Sequence, residues 1–373
     1  MKKTEYKGAM LKLLPPLLSV AVGIFLGWYI LFITRPVDSL PGIGIVLAGG
    51  FLHGIHGLGA LFYTATPIIL TGLAVGFSIK TGLFNIGASG QFTVGAFAAI
   101  LIGIKAGSLA FPLPCILAIA GGILAGALWG FFVGVLKAFF EVNEIISGIM
   151  FNYIGMLLVN LLIRTFVYDS AHNCNMDIPE SAQLSRTFFE QFLPDSRLNA
   201  GFLIVLAIVF LVQFLLSRTT FGYELKIVGK NRFAGIYAGI NDKRSILFAM
   251  MISGALAGAG GALLYLSDFG EHIYVVENVL QQGFTGISVA LLGMNHPIGI
   301  LFSGLFIAHI TVGGNYLQLY GYTPDLVDMI IAIIVYCGAL ALPLRMLVER
   351  FAEKKQQMKS SAVSISAEKE GKA

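Results

Sequence analysis

The sequence is poor in charge and in cysteine, and both shortages exclude classes of protein. Only 12% of its 373 residues are charged, against about 25% in soluble domains. So few charges cannot cover an ordinary water-facing surface, so lipid must solvate much of the chain. Three cysteines, Cys115, Cys174 and Cys337, are too few and too scattered for a disulfide framework or a zinc site. Cys174 stands in a polar stretch, where we expect its thiol to be open to reaction.

Catalytic signatures are also missing. The sequence contains no HExxH, no GxSxG and no His or Cys cluster with the spacing of metal ligands, so we expect neither catalytic nor metal-binding residues. It has no Walker A loop, because Gly229-Lys230 is followed by Asn231 and Glu224 stands where the first glycine would be. These absences argue against an enzyme and against a cofactor of its own. Any ATP that drives this protein must bind to a partner subunit.

Apolar runs dominate what is present. Hydrophobic residues make up 57% of the chain, and about 20 such residues in a row are needed for a membrane-spanning helix. The glycine-broken stretch 42–60 is predicted to be a re-entrant or surface segment on the outside. We therefore predict an all-α, polytopic membrane protein of about ten spans. The runs are 13–34, 61–79, 90–104, 113–136, 145–163, 198–217, 246–266, 278–293, 297–318 and 326–344.

The distribution of Lys and Arg sets the orientation. With both termini inside, 19 of the 24 Lys and Arg residues fall on inner segments and five on outer ones, as the positive-inside rule requires. The prediction is a membrane domain over 1–350, with an extracellular loop at 169–197 and a cytoplasmic loop at 218–245. The polar tail 351–373 is predicted to be disordered and cytoplasmic.

Glycines are spaced for close helix packing. Gly122, Gly126, Gly130 and Gly134 lie on one stripe of the fourth run, and Gly254, Gly258 and Ala262 repeat the pattern on the seventh. Small residues let membrane helices approach closely. We expect these two stripes to mark helix contacts.

Polar residues inside the spans are candidates for a site, because each costs free energy unless it is paired or lines a wet path. Asn85 and Ser89, four residues apart, are predicted to share one helix face, with Gln91 pointing elsewhere. Asn152 lies in the fifth run. Amides both donate and accept hydrogen bonds, which suits a neutral polar ligand. Interhelical hydrogen bonding is the alternative role for the same side chains.

Four segments, taken together and in order, resemble the motifs of permeases in nucleoside and simple-sugar ABC importers, which are related to the branched-chain amino acid and ribose permeases. Gly82–Gln91 resembles the GLFNIGxEGQ signature, and the resemblance covers about residues 10–345. Ser89 departs from the pattern, because the family commonly has glutamate there, so no carboxylate role is carried over. The other three segments are Glu141–Ile154, Phe221–Ile240 and Gly283–Pro297.

The resemblance implies the transmembrane domain of an ABC importer of the BtuC and ribose-permease type, in the bacterial cytoplasmic membrane. It implies a second permease, usually a different one, a cytoplasmic ATPase subunit and an extracytoplasmic solute-binding lipoprotein. Nucleosides are the first expected substrate, with a simple sugar or another small polar solute as the alternative. The rings of Phe84 and Phe151, which directly precede Asn85 and Asn152, can stack on a nucleobase. The predicted substrate path is Phe84, Asn85, Gln91, Phe151 and Asn152.

The inner loop is the predicted site of ATPase coupling. The resemblance assigns this role to Phe221–Ile240, and the residues agree, because the loop mixes Glu224 and Asp242 with six basic residues. Its stretch Arg232–Ile240 is short and glycine-punctuated, which predicts a small surface helix that could transmit the closure of an ATPase. The predicted coupling residues are Gly222, Glu224, Gly229, Asn231, Ala234, Tyr237 and Gly239.

Two rivals belong to other classes. A secondary transporter would carry charged groups along an ion path inside its spans, and no predicted span holds such a chain. A membrane-embedded enzyme would need clustered Asp or His at a membrane face, which the sequence lacks. Transport driven by ATP without an ion gradient would separate the importer from the first rival.

Overall fold

A computed structural model of the protein describes residues 2–185, 196–267, 269, 271–340 and 346, with the side chains of 2–17 and 339 excepted. Part of the predicted outer loop (186–195), the end of the last predicted span (341–344) and the predicted tail (351–373) lie outside the described residues. The first six helices are α1 (Lys2–Thr34), α2 (Ser39–Ala48), α3 (Ile55–Lys80), α4 (Ala88–Lys105), α5 (Leu113–Phe140) and α6 (Glu144–Phe166). The next seven are α7 (Gly201–Arg218), α8 (Thr220–Lys230), α9 (Arg232–Tyr237), α10 (Asp242–Tyr265), α11 (Gln282–Leu292), α12 (Pro297–Leu317) and α13 (Pro324–Ala339).

The chain is a helical membrane protein, as predicted. Within the described residues, seven helices are long and apolar enough to cross a membrane, with α12 counted together with the short turn that follows it. These seven are α3, α4, α5, α6, α7, α10 and α12. The predicted total of ten spans stays a prediction.

Helix α11 corrects one of the predicted spans. The run 278–293 forms a helix only over Gln282–Leu292, which is about 16 Å long at 1.5 Å per residue. That length is about half of the roughly 30 Å hydrocarbon core. The four residues 278–281 precede the helix in an irregular conformation, so the expectation of a continuous eighth span is wrong.

The glycine-broken stretch 42–60 covers the connection between α2 and α3. It contributes most of α2, a short 3₁₀ turn at Gly49–Phe51 and the first residues of α3, which begins at Ile55. His309 of α12 holds the turn, because its Nδ1 accepts a hydrogen bond from the Gly50 amide at 3.2 Å and its other ring nitrogen lies 2.9 Å from the Leu47 carbonyl oxygen. Segment 42–60 is therefore packed onto the helical body rather than being a free surface loop.

Helices α3, α4, α5 and α10 pack tightly around the core. The predicted glycine stripes of α5 and α10 face each other: a Cβ built on Gly126 would lie 2.4 Å from the Gly254 carbonyl oxygen, and one on Gly258 would lie 2.4 Å from that of Gly122. Gly95 of α4 meets Gly258 equally closely. No side chain fits between these backbones, so the predicted packing is confirmed.

A second apolar cluster joins α1, α2, α12 and α13. Gly23 and Gly27 of α1 lie against Ile334 and Ile330 of α13, and Leu31 and Val327 are fully buried in the same cluster. The outward faces of α5, α6 and α7 expose many large apolar side chains, among them Leu124, Leu157 and Phe210. Such faces suit lipid or a partner membrane subunit.

The outer loop contains a small hairpin that changes the expectation for Cys174. Strands β1 (Tyr168–Asp169) and β2 (Cys174–Asn175) pair antiparallel, and Cys174 is only 2% exposed. Burial raises the pKa of the Cys174 thiol, and the nearby carboxylates of Asp169 and Asp177 raise it further. The thiolate is the reactive form, so the predicted open, reactive cysteine is wrong.

Candidate functional site

The signature segment 82–91 forms a tight turn and then the first residues of α4. Gly82 adopts φ +80, a left-handed conformation that favours glycine, and it reverses the chain directly after α3. The amides of Leu83 and Asn85 then donate to the carbonyl and the hydroxyl of Ser78. The chain thus folds back onto α3, and α4 begins at Ala88.

Asn85 and Gln91 form a buried hydrogen-bonded pair. The Asn85 Nδ2 donates to Gln91 Oε1 and to Ser253 Oγ, each at 2.7 Å, and Ser253 donates in turn to the Ala74 carbonyl at 2.6 Å. Asn85, Gln91 and Ser253 have no exposed surface in the chain. The network joins α3, α4 and α10, which is the interhelical role that the sequence left open.

The predicted face relationship between these residues is wrong. Asn85 and Ser89 were expected to share a helix face, but Asn85 lies in the turn before α4, so helical spacing does not apply to it. Ser89 is directed elsewhere: its hydroxyl donates to the Leu280 carbonyl at 2.9 Å. Ser89 therefore holds the segment that precedes α11.

Asn152 of α6 bonds both to the turn and to the start of α4. Its Oδ1 accepts from the Gly90 amide at 2.7 Å and its Nδ2 donates to the Ile86 carbonyl at 3.0 Å. The two aromatic residues of the predicted substrate path pack against apolar neighbours. Phe151 packs on Trp129, with ring centroids 5.4 Å apart, and Phe84 is partly buried against the main core.

A cleft with polar and apolar walls opens beside Asn152 and the turn before α4. It has a volume of about 440 Å³ and lies between α6, the turn before α4 and the segment before α11. Among the five residues predicted for the substrate path, only Asn152 lines it. Its other polar or aromatic walls are Tyr153, Glu277, Asn278, Gln281 and Phe284.

Sequence reasoning missed Glu277, Asn278 and Gln281. The predicted eighth run began at 278. It therefore placed Glu277 just outside the membrane and assigned Asn278 and Gln281 to a spanning helix. A usable signal was present, because Glu277-Asn278 and Gln281-Gln282 interrupt an otherwise apolar stretch directly before the Gly283 motif. An interrupted hydrophobic segment is typical of the broken helices that line transporter sites.

The predicted cytoplasmic loop, 218–245, contains two short helices with defined caps. Thr219 caps α8 by accepting from the Gly222 amide at 3.0 Å, and Asn231 caps α9 by accepting from the Ala234 amide at 3.2 Å. Gly239, at φ +79, ends α9, and the Ile240 amide donates to the Gly235 carbonyl. The predicted small surface helix is confirmed over Arg232–Tyr237.

The predicted coupling residues divide into packed and exposed ones. Gly222 is buried against Leu215 and Leu216 of α7, whereas Glu224, Ala234 and Tyr237 face solvent. Tyr237 is 93% exposed. Gly222 therefore fixes the region to the membrane domain, and the exposed residues are available to a partner.

Charges bind this region to the neighbouring helix ends. The Arg232 guanidinium donates to Asp242 at 2.6 Å and lies 4.0 Å from Glu141, in the α5–α6 turn. Lys137 and Glu144 pair across the same turn at 2.7 Å. In the described part of the chain, no group of three or more His, Cys, Asp or Glu side chains could hold a metal ion.

Gly229 connects the cytoplasmic helices to the signature segment. A Cβ built on Gly82 would lie 2.4 Å from the Gly229 Cα, and one on Gly229 would lie 2.5 Å from the Thr81 carbonyl carbon. The end of α8 thus touches the backbone of the turn that leads to Asn85.

Comparison with known proteins identifies this arrangement. The profile of the family described as "Branched-chain amino acid transport system / permease component" matches residues 57–338, which include both helices of the cytoplasmic loop and the cleft. The chain belongs to this permease family. It is a multi-pass protein of the cytoplasmic membrane and a transport component.

Individual relatives of the permease cover nearly the whole chain. It is 36% identical to the guanosine ABC transporter permease protein NupP of Bacillus subtilis, over 92% of this chain and 97% of the relative. It is 30% identical to the nucleoside ABC transporter permease protein NupB of Lactococcus lactis, over 94% and 96%. The glucose ABC transporter permease protein TsgB13 of Haloferax volcanii is 30% identical, over 86% and 85%. No solved structure matches the permease.

Proposed function

We propose that this permease is the translocating subunit of an ATP-driven importer of nucleosides. One observation carries the proposal: the chain aligns over 92% of its length with a permease whose name specifies guanosine. A simple sugar is the second candidate solute, because a glucose permease aligns over 86% of the chain. The partners are a second permease, an ATPase subunit that binds the ATP, and an extracytoplasmic solute-binding lipoprotein.

The ATPase docks on α8 and α9. Tyr223, Phe233 and Tyr237 are 62%, 73% and 93% exposed there, and large apolar side chains grouped on a polar surface are typical of a protein contact. Glu224 adds a charge beside them, which can fix the orientation of the partner. The surface is held in one conformation when the ATPase binds. Gly222 packs α8 against α7, Asn231 caps α9, and Gly239 ends α9.

The motion of the ATPase reaches the membrane by two connections. Gly229 presses on the turn at Gly82, and Arg232 links α9 to Asp242 at the start of α10. Both α10 and the turn carry members of the Asn85–Gln91–Ser253 network. A displacement of α8 and α9 would therefore move the backbone beside the cleft.

The five residues predicted for the substrate path have different roles in this proposal. Asn152 lines the cleft and supports its wall, because its amide is bonded to Gly90 and Ile86. Asn85 and Gln91 hold the turn in shape, and Phe84 and Phe151 pack behind it. Most of the solute affinity belongs to the binding protein, because a permease that held its solute tightly would release it slowly.

The excess of Lys and Arg on the predicted inner segments supports a topology with both termini, α8 and α9 in the cytoplasm. A reporter fused after residue 180 should be found outside, and one fused after residue 235 inside. The opposite location at either site would overturn this orientation.

The transport class and the solute can be tested together in proteoliposomes that contain both permeases and the ATPase. Supplied with loaded binding protein, they should take up guanosine with ATP and without an ion gradient. Excess unlabelled nucleoside should compete, and glucose should not. Competition by glucose alone would favour the sugar importer, and uptake driven by an ion gradient without ATP would refute the proposal.

A further inference from the structure

The segment that carries Glu277 runs from the hairpin of the predicted outer loop, where the Val275 amide donates to the Asn173 carbonyl at 2.9 Å, into the helical body. The start of α11 lies against the start of α4, since a Cβ built on Gly283 would be 2.5 Å from the Ser89 Cα. Gly286 lies equally close to Thr71, which is well inside the long helix α3. Asn160 of α6 donates to the Val276 carbonyl at 2.9 Å. The segment before α11 thus descends along α6 and ends far from either membrane surface.

This position requires water. Glu277, Asn278 and Gln281 are exposed in the chain, and they line a cleft beside the exposed apolar residues Ile149 and Tyr153 of α6. A carboxylate facing lipid along this descent is costly, and irregular backbone is tolerated only within protein or along a wet cavity. The cleft therefore faces an aqueous passage rather than lipid.

The chemistry of the cleft selects for hydrogen-bond donors. Its polar walls are one carboxylate, three amides and the Tyr153 hydroxyl, and none of the Lys and Arg residues that the structure describes lines it. A carboxylate only accepts hydrogen bonds, and its two oxygens can take both hydroxyls of a vicinal diol. The Phe284 ring stands at the same wall and can stack on a flat base. A phosphate group would meet the negative charge with no cation to balance it.

We infer that Glu277, with Asn278 and Gln281, forms a polar station in the solute path that binds neutral, hydroxyl-rich solutes such as nucleosides and repels their phosphorylated forms. This inference deepens the proposed function and rests on it. Glu277 accepts hydrogen bonds from the sugar hydroxyls, and the amides contact the remaining polar groups. The station selects by charge during passage, independently of the binding protein.

One test measures the electric field of the cleft without any solute. In a complex whose permease has Cys115, Cys174 and Cys337 replaced, Asn278→Cys is treated with a cationic and an anionic methanethiosulfonate. After normalisation to a free thiol, the cationic reagent should react at least roughly fivefold faster, because a carboxylate lies nearby. Adding Glu277→Gln should bring the ratio towards one. Phe210→Cys, on an exposed apolar face of α7, serves as the control that neither reagent should modify.

The second test measures transport. Glu277→Gln should lower ATP-driven guanosine uptake roughly tenfold, the loss expected for a hydrogen bond to a charged group, while Asp328→Asn on the exposed surface of α13 should not. Normal uptake by Glu277→Gln and Glu277→Ala would overturn the inference, and so would an Asn278→Cys that neither reagent modifies in a transporting complex. If the unaltered complex fails to take up guanosine while the reagent ratio persists, the nucleoside assignment fails and the charged, wet station is supported.

Discussion

Gly82 and Gly229 touch backbone to backbone, so that the turn after α3 and the end of α8 form one mechanical joint. A Cβ on Gly82 would lie 2.4 Å from the Gly229 Cα, with no flexible side chain to move aside. This contact connects the proposed docking surface of the ATPase with the turn that leads to Asn85. Three of the predictions below depend on that connection or on the elements at its two ends.

Gly229→Ala should impair coupling. The added methyl would overlap the backbone at Thr81 and Gly82, and overpacking of this kind costs about 1–3 kcal/mol. We expect uptake to fall roughly tenfold or more while the protein still reaches the membrane. The measurement is ATP-driven uptake normalised to membrane protein. Gly44→Ala is the matched control, because a Cβ there meets nothing within 4 Å, and equal uptake by both variants would contradict the joint.

Ser253→Ala should destabilise the helix core. Asn85 would lose its 2.7 Å partner in a fully buried position, and such a loss costs about 1 kcal/mol in a membrane protein. The midpoint of thermal aggregation in detergent should fall, whereas it should not for Asn315→Ala, whose side chain is exposed on α12. An unchanged midpoint for Ser253→Ala would show that the network contributes little.

Tyr237→Ala should weaken the hold on the ATPase. Tyrosine is frequent among residues that dominate binding energy at interfaces, where truncation can cost about 2 kcal/mol or more. We expect less ATPase subunit to co-purify with the permease from solubilised membranes. Tyr320→Ala, which removes another exposed tyrosine, 56% exposed, is the control. Equal recovery of the ATPase with both variants would place its docking surface elsewhere.

Cys174 should resist labelling from outside. Burial raises the pKa of the Cys174 thiol, which leaves little thiolate at neutral pH, and the side chain is 2% exposed. A membrane-impermeant maleimide should label it slowly in intact cells. Ser170→Cys places an exposed thiol in the same hairpin and should be labelled quickly. Comparable labelling rates at the two positions would mean that the hairpin is open in the cell.

The sequence patterns predicted the helices better than the turns that join them. The glycine spacing on α5 and α10 was sufficient to predict a close helix contact on each, because only small residues permit it, but it did not show that the two helices contact each other. The short helix α9 was predicted because the stretch Arg232–Ile240 is short and glycine-punctuated. Asn85 and Gln91 were recognised as polar residues of the interior, but their pairing was not, because it depends on a turn whose helix begins only at Ala88.

The cleft was hidden for a related reason. Hydropathy cannot distinguish a full span from an irregular segment followed by a half-length helix, so the run 278–293 resembled a helix and Glu277 a loop residue. Only the contact of Gly283 with Ser89 reveals that the segment after Glu277 descends to the start of α4. Tertiary contacts between distant parts of the chain decided the depth, and the local sequence does not encode them.

The central claim is that ATP hydrolysis by a separate subunit drives nucleosides through this permease. Its most direct test is uphill guanosine accumulation in proteoliposomes, comparing a complex that contains the intact ATPase with one whose ATPase binds ATP but cannot hydrolyse it. The account predicts that only the intact complex raises internal guanosine above the external concentration. Equal accumulation by both complexes would contradict it.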